Sequence, residues 1–332
     1  MKQENELLKV YIEGPSPKLI LDINHGFVKS RILETSIRLK VYDFISEGFH
    51  TIDELVRKTN SIREPFGKLL DCLVSFGLLT KQKKLYYLTS ISEMFLVSSN
   101  SRYLGKHLFY VDQQWNNWFD LTDIVKNDSS LRNDSEQMLI AMSKESFSLS
   151  FPIAMNLIKE INIPKDAKIL DLYGGEGEWA VAVKTEYPES SVYLYDYKKY
   201  ESLLNHRIEE LGVKEIKFIE ENDSEKLINR KFDVIFLCNQ IRFIGRDKTL
   251  DLLKSIHSYL KVDGILVIYD VFEGDDSISS SILPSLSLSM YVNTKRGSVF
   301  QTKQIKQLLH KANYHKVIQK DTDFYPMILA RR

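Results

Sequence analysis

The sequence predicts an α/β chain: a mostly helical first third, then a Rossmann-like unit of alternating strands and helices. Three observations carry that reading. The stretch Ile169-Leu170-Asp171-Leu172-Tyr173-Gly174-Gly175-Glu176-Gly177-Glu178-Trp179-Ala180 passes from an apolar segment through an acid and a glycine-rich turn into a helix-forming run that continues to Lys184. Strand, glycine turn and helix in that order open a Rossmann-like unit. The run Ser191 to Asp196 reads as the next strand and ends on an acid, about twenty residues past the glycines, where such folds place a carboxylate on ribose hydroxyls. Phe232 to Cys238 is continuously apolar apart from Asp233, as a strand buried on both faces of a parallel sheet should be. Gly174, Gly175 and Gly177 permit backbone angles closed to other residues and let a ligand lie against the main chain. The turn could be purely structural; its place between strand and helix, with Asp196 beyond it, favours a nucleoside-type ligand.

The 332 residues are enough for two domains with ample core. Lys+Arg and Asp+Glu both number 45, a formal net charge of zero, which argues against a global electrostatic grip on nucleic acid or a membrane. Cys72 and Cys238 lie in apolar surroundings without metal-ligand spacing and read as buried thiols. The polar start MKQENELLKV does not resemble a secretory signal, and no apolar run approaches the length of a membrane span. A soluble, cytoplasmic protein is expected.

Residues 1 to about 110 read as mostly helical. Ile20, Ile23, Phe27, Ile32, Leu33 and Ile37 recur at helical spacing between Leu19 and Lys40. Thr51-Ile52-Asp53-Glu54 is a capping box that opens a short helix ending near Asn60. A second helix should run from about Glu64 to Phe76 and stop at Gly77. Leu78-Leu79-Thr80, a Lys81 to Lys84 turn and Leu85 to Thr89 then make a hairpin. Helix, helix, hairpin is a winged helix. Its second helix is mostly apolar and lacks the Arg, Asn or Gln face that reads DNA, so packing or dimerisation is the favoured role over DNA binding.

Phe109, Tyr110, Trp115, Trp118 and Phe119 cluster between the two halves, as interdomain core or as the wall of an aromatic pocket. Lys126 to Ser135 reads as a loop, and Glu136 to Glu160 as helical, with Met138, Met142 and Phe147 as cleft candidates and Pro152 marking a helix start. Further strands are expected at Ile216–Ile219, Ile265–Val271, Tyr314–Gln319 and Tyr325–Ala330. Helices are expected at Arg246–Leu260 and Thr302–Ala312, with a turn at Val262-Asp263-Gly264 and a polar loop over Phe272–Ser281.

Nearly the whole chain resembles the class I S-adenosylmethionine-dependent small-molecule O-methyltransferases with a winged-helix dimerisation domain. The resemblance rests on Thr51–Leu55, Leu69–Leu79 and Tyr87–Thr89, then on Asp171–Gly177, Asp196, Phe232–Ile235, Leu260–Leu266, Gly297 and Leu308–Tyr314, in that order and spacing. It implies a dimerisation domain over 1–110, a methyltransferase domain with a mixed seven-stranded sheet over 111–332, S-adenosylmethionine as cofactor, a small and secondary-metabolite acceptor, and a homodimer that binds neither nucleic acid nor membrane nor metal. Asp171, Gly174, Gly175 and Gly177 would face the methionine part of the cofactor. Asp196 would hold the ribose, Asn222 and Asp223 would lie near the adenine, and Cys238 would border the site. Met142, Met290 and Asn293 fall where the family lines its acceptor pocket.

Two departures stand out. Tyr173 occupies a usual glycine, so the cofactor pocket is expected to be reshaped or partly filled. The family's histidine base, on the turn after the fourth strand, is Arg242 here, with its supporting acid kept as Asp270. Arginine stays protonated in proteins and cannot act as a base; His107 and His257 are the nearest substitutes. The leading expectation is methylation of an oxygen, a carboxylate or an acidic hydroxyl included. The alternatives are a relative that catalyses a rearrangement, decarboxylation or hydroxylation, a catalytically inactive partner subunit, and a nicotinamide enzyme, since Gly175–Ala180 also fits G-x-G-x-x-A.

Overall fold

The computed structural model describes residues 15–127, 140–142, 146–223, 225–228, 230–273, 282–294, 297–323 and 325–332. The chain divides into two compact units, Met1–Gly105 and Lys106–Arg332.

In the first unit the capping box forms as expected. Thr51 Oγ1 accepts from the Glu54 N–H at 3.2 Å, and the Glu54 carboxylate accepts from the Thr51 N–H at 2.9 Å. The helix Ile52–Thr59 ends at Asn60 in the left-handed conformation. The next helix, Arg63–Ser75, buries Phe66, Leu70 and Leu73, one face at helical spacing. Strands β1 (Leu79–Gln82) and β2 (Leu85–Leu88) pair antiparallel. Their turn residues Lys83 and Lys84 both have positive φ, 47° and 69°, as the tight two-residue hairpin turn demands. Lys81 at the hairpin is paired with Asp71 at 2.8 Å, which offsets part of the basic tip. The segment 19–40 is two helices, Lys18–Asn24 and Gly26–Arg38, instead of one. His25 breaks it: its Nδ1 lies 2.8 Å from the Leu21 carbonyl, a side-chain cap on the last turn.

The second unit is built on β3 (Lys168–Leu172), β4 (Ser191–Asp196), β5 (Lys217–Glu220), β6 (Phe232–Cys238) and β7 (Leu260–Tyr269). After these come a short parallel pair, β8 (Phe272–Glu273) with β9 (Phe300–Gln301), and then β10 (His315–Lys320) and β11 (Met327–Arg331). The main sheet has the order β10-β11-β7-β6-β3-β4-β5. Neighbouring strands are parallel from β7 to β5, and β11 is antiparallel to both β7 and β10. Successive side chains point to opposite faces. Ile169, Val192, Val234, Phe236 and Val267 therefore pack with Leu157, Trp179 and Val183 in one core. Leu170, Tyr193, Ile235, Leu237 and Ile268 pack with Leu253, Ile256, Ile305 and Leu309 in the other. The chain leaves β3 for β4 and β5 on one side and returns to β6 and β7 on the other. That reversal opens a crevice at the carboxyl ends of β3 and β6, where open α/β sheets bind ligands.

Several local expectations change. Val262-Asp263-Gly264 is a bulge inside β7: Asp263 has φ +60°, and the register jumps from Phe232↔Leu260 to Val234↔Ile265. A Cβ on Gly264 would sit 2.9 Å from the Lys261 carbonyl oxygen and 3.1 Å from that of Phe232, so the bulge needs glycine. Pro152 lies inside the helix Phe147–Leu157, not at its start, and cannot donate to the Ser148 carbonyl one turn back. Lys126 and Asn127 end a helix, Leu121–Asn127, instead of opening a loop. Met138 and residues 128–135 and 274–281 of the two expected loops lie outside the described residues. Cys72 is half-buried and Cys238 buried. Among the described residues no helix is long and apolar enough to cross a membrane.

Candidate active site

The glycine turn is fixed from both ends. Asp171, buried at the end of β3, accepts the Ala180 N–H on Oδ2 at 3.0 Å and so caps the helix Glu178–Glu186, where a negative charge is favourable. A Cβ on Gly174 would lie 2.3 Å from Asp171 Oδ2, and one on Gly177 (φ +87°) would lie 2.4 Å from Leu204 Cδ1. Gly175, at φ +59°, donates its N–H to Asp196 Oδ2 at 2.9 Å, while Asp196 Oδ1 accepts the Tyr197 N–H at 2.7 Å. Asp196 is completely buried at the end of β4. Asp171, Gly174, Gly175, Gly177 and Asp196 thus lie together at the carboxyl edge of the sheet.

Tyr173 adopts the backbone of the glycine it replaces, φ +60°, and its N–H bonds the Tyr195 carbonyl at 2.8 Å. Its ring packs on the second core, edge-on to Tyr195 at 5.6 Å between centroids. The substitution is absorbed as backbone strain and aromatic packing. Asn222 and Asp223 lie in a short helical turn after β5; the Asn222 amide reaches Glu220 at 3.4 Å and Asp223 pairs with Lys226. The Tyr195 hydroxyl ties that turn to β4 by bonding the Glu221 carbonyl at 3.0 Å. Cys238 ends β6; burial first, and then the charge of Asp171, push its thiol well above its usual range.

Arg242 lies in the short helix Ile241–Ile244 just after β6, and Asp270 just after β7. Their side chains form a buried ion pair, Nη1 to Oδ1. Asp270 is completely buried and also accepts the Ile241 N–H on Oδ2 and the Val271 N–H on Oδ1, both at 2.8 Å. Arg242 Nη1 additionally reaches Asn239 Oδ1 at 3.4 Å. Of the two histidines, His257 is not placed to replace the base. His257 sits in the last turn before β7, at the amino end of the strands, edge-on to Tyr314. His107 lies in the helix Gly105–Gln113, its ring driven towards the neutral form by burial.

Met142 and Met290 join Phe243, Val271, Leu286 and Tyr325 in a separate apolar cluster next to Arg242. Asn293, fully buried, accepts from Asn117 Nδ2 at 2.8 Å and donates to the Ser289 carbonyl at 3.0 Å; Gln114 lies 3.5 Å away and points its amide at the Met142 sulfur. Gln114 and Asn117 carry no site signal in the sequence, because they sit as single amides inside an aromatic run. Phe109 and Phe119 of that run are largely exposed. Glu178 was also missed, since a glutamate opening a helix normally reads as a dipole partner.

A family model described as the O-methyltransferase dimerisation domain matches residues 21–98, and one described as a methyltransferase domain matches residues 152–319, half of the chain. The chain belongs to the class I S-adenosylmethionine-dependent O-methyltransferases. It is 24% identical to the acetylserotonin O-methyltransferase of Gallus gallus, over 95% of this chain and 97% of that protein. In fold it is similar to an O-methyltransferase structure from Nostoc punctiforme, with TM-score 0.82 and 22% identity over 96% and 99% of the two chains. It is also similar to human N-acetylserotonin methyltransferase in complex with S-adenosylmethionine, with TM-score 0.79 and 21% identity over 95% and 97%.

The methyl donor of this methyltransferase is S-adenosylmethionine. The residues present fit it. Close approach of the Asp171 carboxylate to Gly174 and of Leu204 to Gly177 keeps the turn free of side chains, and a buried carboxylate stands at the end of β4.

Proposed function

We propose that this methyltransferase acts on an oxygen that is already anionic, a carboxylate or an acidified hydroxyl on a small apolar metabolite, and that it works as a homodimer. The observation that carries the acceptor class is the buried Arg242–Asp270 pair, which the resemblance sets where the family keeps its histidine base. A guanidinium holds an anion in a fixed fork of donors but cannot take a proton. A carboxylic acid, with a pKa of about 4, is ionised at neutral pH; an unperturbed phenol, at about 10, is not. A nearby cation also lowers the pKa of an acidic hydroxyl.

In this reading Asp196 receives the ribose hydroxyls, and Asp171 with the glycine turn receives the methionine portion. Asn222, Asp223 and Cys238 border the rest of the cofactor. The bound cofactor supplies an electrophilic methyl group. Met142, Met290, Phe243 and Val271 exclude water around the acceptor, and Asn293, fixed by Asn117 and Ser289, orients its polar edge. Asp270 sets the plane of the Arg242 fork, and Arg242 orients the attacking oxygen. Because the acceptor oxygen is already anionic, no residue of the site would have a proton to remove from it. Orientation alone can supply much of the rate of the methyl transfer.

The test is turnover of a panel of carboxylate and neutral phenol acceptors, read as gain of a methyl group by mass. Arg242→Met should lose carboxylate turnover, and Arg242→His, which restores a base worth about 10²- to 10⁴-fold, should gain phenol methylation. Unchanged turnover in Arg242→Met would show that the arginine has no part in the reaction.

A further inference from the structure

One buried acid has no part in the reaction described above. Glu178 is the first residue of the helix that follows the glycine turn, and it is almost completely enclosed. Its Oε1 is 3.3 Å from the hydroxyl of Ser146, the residue that precedes the helix Phe147–Leu157. The groups that face it come from four elements. Asp171 stands at the end of β3, Glu176 in the turn, Cys238 at the end of β6, and Ser146 on the packed helix. Three carboxyls, of Asp171, Glu176 and Glu178, therefore share one enclosed corner. Among the described residues the cation of that corner is Arg207, which is engaged by Glu176 and Glu210, both at 2.7 Å, and lies over the Phe147 ring. Asp171 accepts the Ala180 N–H, and Glu176 is paired with Arg207. Glu178 has the Ser146 hydroxyl and its own backbone N–H. Burial, and then the neighbouring Glu176, hold its carboxyl well above the usual range.

A corner with surplus acid reaches neutrality either by keeping a proton or by admitting a cation. We propose that Glu178 is the ionising partner of the cofactor's α-ammonium group: it holds a proton before the cofactor binds and releases it to solvent when that cation arrives. The inference rests on the assignment of this corner to the methionine end of the cofactor, and it adds a proton-coupled recognition step to it. S-adenosylhomocysteine carries the ammonium group, whereas 5′-methylthioadenosine carries the same nucleoside without it.

Both ligands are titrated calorimetrically into the full-length protein, in paired buffers of different ionisation enthalpy, from about pH 5 to pH 8. S-adenosylhomocysteine should release up to about one proton per site, and its affinity should weaken by up to tenfold per unit as pH falls between the free and bound pKa values of Glu178. Methylthioadenosine should bind without release. Glu178→Gln, nearly the same shape, should still bind S-adenosylhomocysteine but with flat pH dependence and no released proton. Saturable binding with no release in the wild type, or equal release in Glu178→Gln, would overturn the role of Glu178 and leave the cofactor site standing. No saturable binding of S-adenosylhomocysteine at any pH would remove the site assignment and this inference with it.

Discussion

Tyr173 shows at the scale of one residue how this chain departs from its family and at what cost. A bulky residue at φ +60° is strained by about 1–2 kcal/mol, because its Cβ crowds the following carbonyl oxygen. Its ring recovers energy by packing edge-on against Tyr195 in the second core. The two contributions separate by substitution. Tyr173→Gly loses the packing but also the strain; Tyr173→Ala loses the packing and keeps the strain. Urea unfolding should therefore find the alanine variant the less stable by about 1 kcal/mol. Equal midpoints would mean that the left-handed backbone is not enforced by the fold. The sequence marks Tyr173 as anomalous because it stands at the head of a glycine run, but whether the ring enters the cleft or joins the core is a matter of χ angles and of Tyr195, 22 residues away. The same limit applies to Arg242. Its identity excludes base catalysis, yet its partner Asp270 was recognisable only through the family pattern, since 28 residues and a whole strand separate them.

At the scale of elements, local signals that terminate or nucleate structure were read well, and those that depend on strand partners were not. The Thr51 capping box, the Asn60 stop and the boundaries of β4 and β6 follow from short-range chemistry. The Asp263–Gly264 segment carries a turn signal, yet it lies within β7, because β6 pairs with β7 on both sides of it and the extra residues of β7 bulge out between. Likewise Pro152 sits mid-helix since the helix packs on the sheet through Ala154, Leu157 and Ile158 and outlasts one missing hydrogen bond. The β1–β2 hairpin gives a test of this scale. Both turn residues are lysines at positive φ, where Asn-Gly is the favoured pair. Lys83→Asn with Lys84→Gly should stabilise the first unit by about 1–2 kcal/mol, seen as a higher urea midpoint for that unit. A lower midpoint would show that the lysine side chains contribute more than their backbone costs.

At the scale of the whole molecule, the described residues of the first unit leave the N-terminal helices largely uncovered. The helix Lys18–Asn24 has seven residues and no buried side chain. Isolated helices shorter than about 12–15 residues are marginal in water, so this one requires packing. Leu19, Ile20, Leu21, Ile23 and Phe27 are all at least half exposed, and contiguous apolar exposure of this kind marks an interaction surface. The dimerisation-domain model begins at residue 21 and so covers most of this surface. A second copy of the chain is therefore the expected cover, and the zero formal net charge sets no electrostatic barrier to self-association. Light scattering should give a dimer at micromolar concentration. The double substitution Ile20→Glu with Ile23→Glu, which buries two charges in the interface without touching the second unit, should shift the protein to monomer, and saturable S-adenosylhomocysteine binding should persist. A wild-type monomer would refute the homodimer. A variant that stays dimeric would move the interface to the half-buried Ile32, Leu33 and Ile37 of the following helix.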